Sequence, residues 1–286
     1  MTIDVEPLRT LDDFSACEHL QRRLLGEHAG AALLGVPALR AIAESGGLLL
    51  GVRQSGVGRE LAGAVVDLST TWEGFPAHFN YLFGVSAEAR NGGIGLALRV
   101  AERQHALAAG VEVVRAWVDP LRSSESHLFL NRLGAIGTKY ERSVFGELPD
   151  RVHRGLATDR VCAQWWLRSP RTVALLDEGR AASHLRAGLH EMVVATRTTC
   201  GRSGQRTLVD AHADVDAANV LVEIPVDIEL LRDEDPAEAR RWRLGTREVF
   251  ERLLVTGYLL VGLVHEGGRS FQLLEKADRS GALGRS

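Results

Sequence analysis

The sequence predicts an α/β fold in which apolar strands and helices alternate along 286 residues. The first observation is an apolar strand, a glycine-rich loop and a helix that follow one another over residues 81–100. The second is a series of apolar runs, bounded by glycine, serine or proline, on both sides of this unit. The third is a long stretch of helical spacing after Pro236 that leads into two apolar strands around Gly267 and Gly268.

The N-terminal elements carry recognisable start and stop residues. Thr10 is placed as the N-cap of a helix that runs to about residue 25, with Asp13 in the third position beyond the cap. Pro37 suits the first turn of a second helix, which Gly46 and Gly47 end. The strands predicted in this part of the chain span residues 3–8, 48–53, 61–68 and 79–85.

The elements continue to alternate after the glycine-rich loop. The predicted elements up to residue 168 are a helix over 94–109, a strand over 111–119, a helix that ends near 131–135, and strands over 139–147 and 162–167. From Ser169 the periodicity weakens, which marks a second region. Its predicted elements are a helix near 173–187, strands at 191–196 and 220–224, a helix over 236–255, and a hairpin of 258–264 with 270–274.

The glycine-rich loop carries the clearest chemistry in the chain, and it reads Arg90-Asn91-Gly92-Gly93-Ile94-Gly95. A loop of this kind aims several backbone N–H groups at one point, where the helix macrodipole adds positive charge. Glycines let a diphosphate approach the backbone, and the guanidinium of Arg90 suits phosphate oxygens. The pattern therefore favours a ligand that contains pyrophosphate, and the alternative is a plain strand-to-helix turn with glycines for close packing.

Two other phosphate motifs fit this loop less well. A Walker loop needs a Gly-Lys pair, and none occurs in the chain. A dinucleotide fingerprint needs a third glycine, but Leu98 stands at that position.

The composition argues against several other classes of protein. A net charge of −3 gives no overall attraction to nucleic acid or to an anionic membrane. The three cysteines are far apart and the histidines lack ligand spacing, so we expect neither a disulfide framework nor a bound metal. The N-terminus lacks a signal-peptide pattern, and the longest apolar run, residues 253–264, is too short to span a bilayer. We therefore expect a cytoplasmic protein.

The Arg-x-x-Gly-x-Gly motif after a strand resembles the acyl-CoA motif of the GNAT superfamily of N-acetyltransferases. The resemblance implies that residues 90–95 bind the CoA pyrophosphate and that Phe83, Gly84 and Val85 pair with the pantetheine arm. It also implies a mixed, mostly antiparallel sheet with splayed central strands over residues 1–168. Residues 169–286 would then form a smaller C-terminal α/β extension.

The whole chain is similar to a bacterial GNAT subgroup of predicted acetyltransferases. Matching segments include Asp119-Pro120-Leu121, Leu133-Gly134-Ala135 and Thr246-Arg247. Some members of that subgroup N-succinylate amino acids. The resemblance therefore implies acetyl-CoA or succinyl-CoA as the co-substrate and a small-molecule amine, such as an amino acid, as the acceptor. Whether the extension closes the site or forms a homodimer stays open.

The catalytic acid and base are less clear, because Leu130 stands where many GNAT enzymes carry an acid tyrosine. Tyr81 and Tyr140 are substitute acids, and the alternative for each is a half-buried strand tyrosine. Glu125 and His127 are candidate bases on the following helix, with a solvated helix surface as the alternative.

Two further residues are candidates for substrate contact. Asp119 could receive the amine at a strand end, or it could form an Asx turn before Pro120. Arg160 could hold a substrate carboxylate with both arms, or it could pair with Asp159 or Glu147. The loss of the usual tyrosine also leaves a second interpretation, a non-catalytic acyl-CoA sensor or scaffold.

Overall fold

The computed structural model describes residues 3–26, 30, 33–53, 60–180, 192–201 and 205–284. The chain folds into two compact units. The first comprises Met1–Ala116 with Leu148–Arg154, and the second comprises Trp117–Glu147 with Gly155–Ser286. The division into domains at residue 168, which concerns continuous segments of sequence, stays a prediction.

Among its described residues, the first unit contains five strands in the order β1-β2-β3-β4-β5 and three α-helices. The strands are β1 Glu6–Pro7, β2 Leu48–Arg53, β3 Leu61–Trp72, β4 Phe75–Val85 and β5 Val113–Val118, whose last two residues belong to the second unit. The helices are α1 Leu11–Leu25, α2 Val36–Glu44 and α3 Ile94–Ala108. β1 to β4 pair antiparallel, whereas β4 and β5 pair parallel.

Alternating side chains give this sheet two apolar faces. Ala64 and Val66 of β3 pack in the cluster that holds α1 and α2. Val65, between them, packs with Leu98 of α3. Because a strand sends successive side chains to opposite faces, an unbroken apolar run in β3 fits a sheet that is covered on both sides.

β4 contains one extra residue relative to β3. Val66 pairs with Leu82 and Asp67 pairs with Asn80, so Tyr81 is left over as a bulge. The parallel register of β4 with β5 runs from Ala77 to Asn80 and ends there. The bulge thus coincides with the point where β4 leaves its neighbour.

Within the ranges that the structure describes, the second unit contains a six-stranded run in the order β7-β6-β12-β13-β11-β8 and a separate two-stranded sheet, β10-β9. Its strands are β6 Ile136–Glu141, β7 Arg160–Trp166, β8 Val193–Val194, β9 Thr196–Cys200, β10 Arg206–Ala211, β11 Asn219–Ile224, β12 Tyr258–Glu266 and β13 Arg269–Lys276. Its helices are α4 Ser123–Ser126, α5 Pro170–Leu176, α6 Ile228–Glu234, α7 Pro236–Val255 and α8 Arg279–Ala282. β8 and β11 pair parallel, and the other strand pairs described in this unit are antiparallel.

The long helix α7 organises this unit. Asp235 caps its N-terminus by accepting a hydrogen bond from the N–H of Glu238 at 3.0 Å, and Pro236 occupies its first turn. Trp242, Val249 and Phe250 lie on its buried face, which packs against β6, β10 and β12. The spacing of these residues is that of an amphipathic helix.

The predicted α/β class and the mostly antiparallel sheet are confirmed. α1, α3 and α7 begin and end within a residue of the predicted bounds. The predicted strand over residues 139–147 is wrong beyond Glu141. The carboxylate of Asp159 and the hydroxyl of Thr158 accept hydrogen bonds from the N–H groups of Ser143 and Phe145, so these N–H groups join no strand ladder.

Other predicted elements are displaced or incomplete. The helix predicted near residues 173–187 is Pro170–Leu176 in the structure, and residues 181–187 lie outside the described part of the chain. The helix predicted to end near residue 131 is a short α-helical turn that continues as a π-helix, His127–Arg132. Among the residues that the structure describes, no helix is both long and apolar enough to cross a bilayer.

Candidate functional site

The glycine-rich loop joins β4 to α3 within the first unit. Asn91 and Gly93 both have left-handed backbone, with φ of 63° and 82°, which favours glycine and tolerates asparagine. Residues 90–93 are exposed, so their backbone is open to a ligand. Arg90 lies at the start of this exposed stretch in extended backbone. The loop thus has the geometry that the sequence predicts, and its ligand stays a prediction.

The first turn of α3 is free of acidic side chains. Gly93 is its N-cap, and no described side chain caps the first-turn N–H groups. The contrast with α2 is informative, because that helix also has a glycine cap but uses the Glu18 carboxylate to accept a hydrogen bond from the N–H of Val36 at 3.2 Å. The positive end of the helix dipole at the start of α3 is therefore not offset by a carboxylate in the first turn.

The strand residues before the loop are packed closely against the helices. A Cβ on Gly84 would lie 2.3 Å from a methyl carbon of Leu24, and a Cβ on Gly95 would lie 3.3 Å from the ring of Phe83. Phe83 and Val85 are half-buried beside Leu98 of α3. The predicted pantetheine strand is thus held firmly against the helix that carries the loop.

A buried polar network, absent from the sequence-based predictions, lies on the α3 face of β4. Arg99 and Glu102 are fully buried and form an ion pair of 2.7 Å. Arg99 also donates to the side-chain oxygen of Asn80 at 3.0 Å, and the amide of Asn80 donates to the carboxylate of Asp67 at 2.7 Å. The sequence contains a signal for this network, because Arg99 and Glu102 are charged residues on the buried side of an amphipathic helix.

The charge state of this network follows from its burial. Desolvation raises the pKa of Glu102 well above its ordinary range, the charge of Arg99 opposes that rise, and the neighbouring Asp67 adds to it. The network therefore raises the pKa of Glu102 although Arg99 is bonded to its carboxyl group.

In the second unit, Asp119 lies at the centre of a buried ion cluster. Its carboxylate accepts a hydrogen bond from Arg243 at 2.5 Å and is 3.4 Å from Arg160. Burial disfavours its charge, but the charges of Arg243 and Arg160 outweigh burial and lower its pKa. The same carboxylate accepts from the N–H of Leu121 at 2.9 Å, so the Asx turn considered for Asp119 is present.

A second cluster surrounds Asp159. The hydroxyl of Tyr140 donates to the carboxylate of Asp159 at 2.7 Å, and Arg247 donates to it with two nitrogens at 2.8 and 3.1 Å. Burial raises the pKa of Tyr140, and the charge of Asp159 raises it further. Arg247 is half-buried on α7 and is a bidentate partner of Asp159. The structure thus gives Tyr140 a partner that keeps its proton in place.

The remaining predicted residues lie in more open surroundings. Tyr81, the bulge residue, is 45% exposed. The Glu125 carboxylate accepts a hydrogen bond from the N–H of Asp119 at 3.2 Å, and His127 is exposed on the π-helix. Leu130, which replaces the expected tyrosine, is fully buried in the core. The catalytic roles predicted for these residues stay predictions.

Arg160 pairs with neither of the two carboxylates, Asp159 and Glu147, that the sequence offers as its partners. Its guanidinium pairs with Asp119 and donates to the backbone carbonyl of Asp159 at 2.8 Å, rather than pairing with the side chain of Asp159 or Glu147. Arg243 was missed, although it belongs to the buried face of α7. Within the described part of the chain, no three histidine, cysteine or acidic side chains are placed to share a metal ion.

No protein-family model and no curated protein matches the chain. It is similar over 58% of its length to the ribosomal-protein-S18-alanine N-acetyltransferase from Escherichia coli, with 16% identity, 94% of that chain covered and a TM-score of 0.45.

Two further solved structures show similarity at the same level. One is a putative acetyltransferase from Salmonella typhimurium with its cofactor acetyl-CoA, at 15% identity, with 58% of this chain and 95% of that chain covered and a TM-score of 0.44. The other is a putative acetyltransferase of the GNAT family from Desulfovibrio desulfuricans, at 12% identity, with 58% and 99% covered and a TM-score of 0.43.

Proposed function

We propose that the chain is an acyl-CoA-dependent N-acyltransferase of the GNAT type. The observation that carries the proposal is the start of α3, where an exposed glycine-rich loop precedes a first turn without acidic side chains. This arrangement suits a diphosphate, because backbone N–H groups and the helix dipole favour an anion there. Arg90 supplies an additional cation at the loop.

The strand before the loop supports the rest of the ligand. Beyond Asn80, β4 leaves its register with β5, while its other edge stays paired with β3 up to Val85. An extended arm with amide groups, such as pantetheine, can hydrogen-bond to a strand edge of this kind. Phe83, Gly84 and Val85 are the residues proposed to contact that arm.

The proposed reaction is direct acyl transfer in a ternary complex. The neutral amine of a small molecule attacks the thioester carbonyl, a C–N bond forms, the C–S bond breaks, and CoA leaves as a thiolate. The attacking nitrogen gives its proton to a base, for which Glu125 and His127 are candidates, and the thiolate takes a proton from an acid such as Tyr81. Acetyl-CoA and succinyl-CoA are the donors proposed, and an amino acid is the acceptor proposed.

Gly93→Asp and Gly93→Asn form a matched pair that tests the loop. Both place a side chain of the same size at φ 82°, so they share any backbone strain. The aspartate alone puts a negative charge beside the proposed diphosphate. We expect calorimetry to show CoA binding by the wild type, weaker binding by Gly93→Asn, and binding by Gly93→Asp that is at least about tenfold weaker again.

Outcomes of this experiment separate the interpretations. Equal affinity of the two variants for CoA would contradict the diphosphate site. Binding of acyl-CoA without release of thiol in the presence of L- and D-amino acids would instead favour the acyl-CoA sensor. Absence of binding by the folded wild type would mean that the loop is only a turn.

A further inference from the structure

The bulge at Tyr81 places two residues of β4 on the same face of the sheet although they are an odd number of positions apart. Asn80 hydrogen-bonds with Arg99 of α3, and Phe83, three positions later, has the Arg99 guanidinium 4.0 Å from its ring centroid. In a regular strand, residues three apart point to opposite faces. A single side chain of α3 therefore contacts β4 on both sides of the bulge.

We infer that Arg99, together with Asn80, is a positioning pair that fixes the conformation of β4 for the pantetheine arm; this inference rests on the proposed function. The guanidinium of Arg99 stacks on the ring of Phe83. Its side chain has little freedom to adopt another conformation, because Arg99 and Glu102 are fully buried and Asn80 is only 9% exposed.

The amide of Asn80 completes the link to the bulge. It donates to the backbone carbonyl of Leu82 at 3.1 Å and to the carboxylate of Asp67 at 2.7 Å. The bulge is thus held through its own backbone as well as through the side chains that flank it. Because bulges re-aim the residues that follow them, this bond helps to set the direction of Phe83, Gly84 and Val85.

The same helix connects the strand to the loop. Arg99 follows the loop residue Gly95 by one turn of α3, and the ring of Phe83 lies directly against Gly95. The pair therefore acts on the strand, whereas the diphosphate site uses backbone groups of the loop itself. This separation predicts that disturbing the pair weakens binding of the pantetheine arm more than binding of the nucleotide.

The test compares two probes: CoA, and adenosine 3′-phosphate 5′-diphosphate, which is the CoA nucleotide without its pantetheine arm. Arg99→Lys keeps the charge beside Glu102 but removes the flat surface and the fork that contact Phe83 and Asn80. We expect calorimetry to show a loss of affinity for CoA of about tenfold or more, and affinity for the nucleotide within about twofold of wild type.

Two further variants make the result interpretable. Arg40→Lys, in the exposed ion pair with Glu44, is the matched control and should bind both probes as the wild type does. Asn80→Ala removes the bonds to Arg99 and to the carbonyl of Leu82 from the other member of the pair and should reproduce the selective loss, so it serves if Arg99→Lys does not fold. Unchanged CoA affinity in Arg99→Lys, or equal losses for the two probes, would overturn the inference. A wild type that binds neither probe would instead refute the proposed function, and the inference with it.

Discussion

At the scale of single residues, Asp119 shows how a buried carboxylate keeps its charge. Two guanidinium groups, from Arg243 and Arg160, face it in the interior. Asp119→Asn keeps an oxygen for the Asx turn but leaves both cations without their counter-charge. We expect urea denaturation to show a loss of about 3–5 kcal/mol in the free energy of unfolding. Asp216→Asn, whose carboxylate forms an exposed pair with Lys276, is the control and should change little.

Glu102 differs from Asp119 because its pKa is raised rather than lowered. Its pKa is raised in the folded protein, so the folded state holds a proton that the unfolded chain releases as the pH rises. The contribution of this group to stability is therefore greatest below its unfolded pKa and is lost as the pH rises toward the folded value. Glu102→Gln mimics the protonated form and escapes this loss.

The measurement for Glu102 is a series of urea titrations at several pH values. The free energy of unfolding of Glu102→Gln should gain on that of the wild type as the pH rises above the ordinary glutamate pKa of 4.5. A difference that is constant with pH would show that Glu102 is ionised when buried.

At the scale of elements, the capping box of α1 was predicted from sequence and is present in full. Thr10 accepts a hydrogen bond from the N–H of Asp13 at 3.2 Å, and the Asp13 carboxylate accepts from the N–H of Thr10 at 2.9 Å. We expect Thr10→Ala to lower the free energy of unfolding by about 1 kcal/mol in urea denaturation. Thr10→Ser should restore most of the loss, and failure of that rescue would assign the effect to the methyl group.

Asp13 adds a dependence on pH to the same helix end. Burial acts against its charge, but hydrogen bonds from Thr10, Arg9 and Arg53 outweigh burial and lower its pKa to about 2. Because the folded pKa is depressed, the stabilisation is present above its unfolded value and is lost as the pH falls toward about 2. The stability difference between wild type and Asp13→Asn should shrink over that acidic range, and a difference independent of pH would contradict the assigned pKa.

Helices α1 and α7 could be predicted from the sequence because the residues that signal them are close together in the chain. The N-cap and the apolar spacing of α1 and α7 lie within the helices themselves. The π-helix at His127–Arg132 has no comparable signal, since its extra residue per turn is held by tertiary contacts such as the hydrogen bond from Asn131 to the carbonyl of Leu263 at 2.7 Å. Sequence spacing alone could not distinguish it from an α-helix.

At the scale of the whole molecule, the proposed ligand should change thermal stability. A ligand that binds the folded chain alone stabilises it by about 2.7 kcal/mol when its concentration is about 100 times its Kd. We expect CoA to raise the Tm of the wild type in scanning calorimetry and to raise that of Gly93→Asp much less. Equal shifts for the two proteins would place CoA away from the loop.

The candidate site was only partly predictable from the sequence. The loop could be found because its residues are contiguous and their glycines have a backbone role, as the left-handed Gly93 shows. The partners of Asp119 could not be found from the sequence, because Arg243 is 124 positions away in the chain and only the fold brings the two residues together. Arg243 also carried a weak signal, as an ionic residue among the apolar positions of α7.

The extra residue in β4 is a one-residue insertion that the sheet absorbs. Tyr81 lies between Asn80 and Leu82, which pair with the consecutive residues Asp67 and Val66 of β3. A deletion of Tyr81 would keep those pairs, and Phe83 and Val85 would still face α3, because side chains would then alternate regularly along the strand. The deletion would remove only the local bend and twist that a bulge adds. The insertion therefore changes the direction of the strand without changing which side chains face the helix.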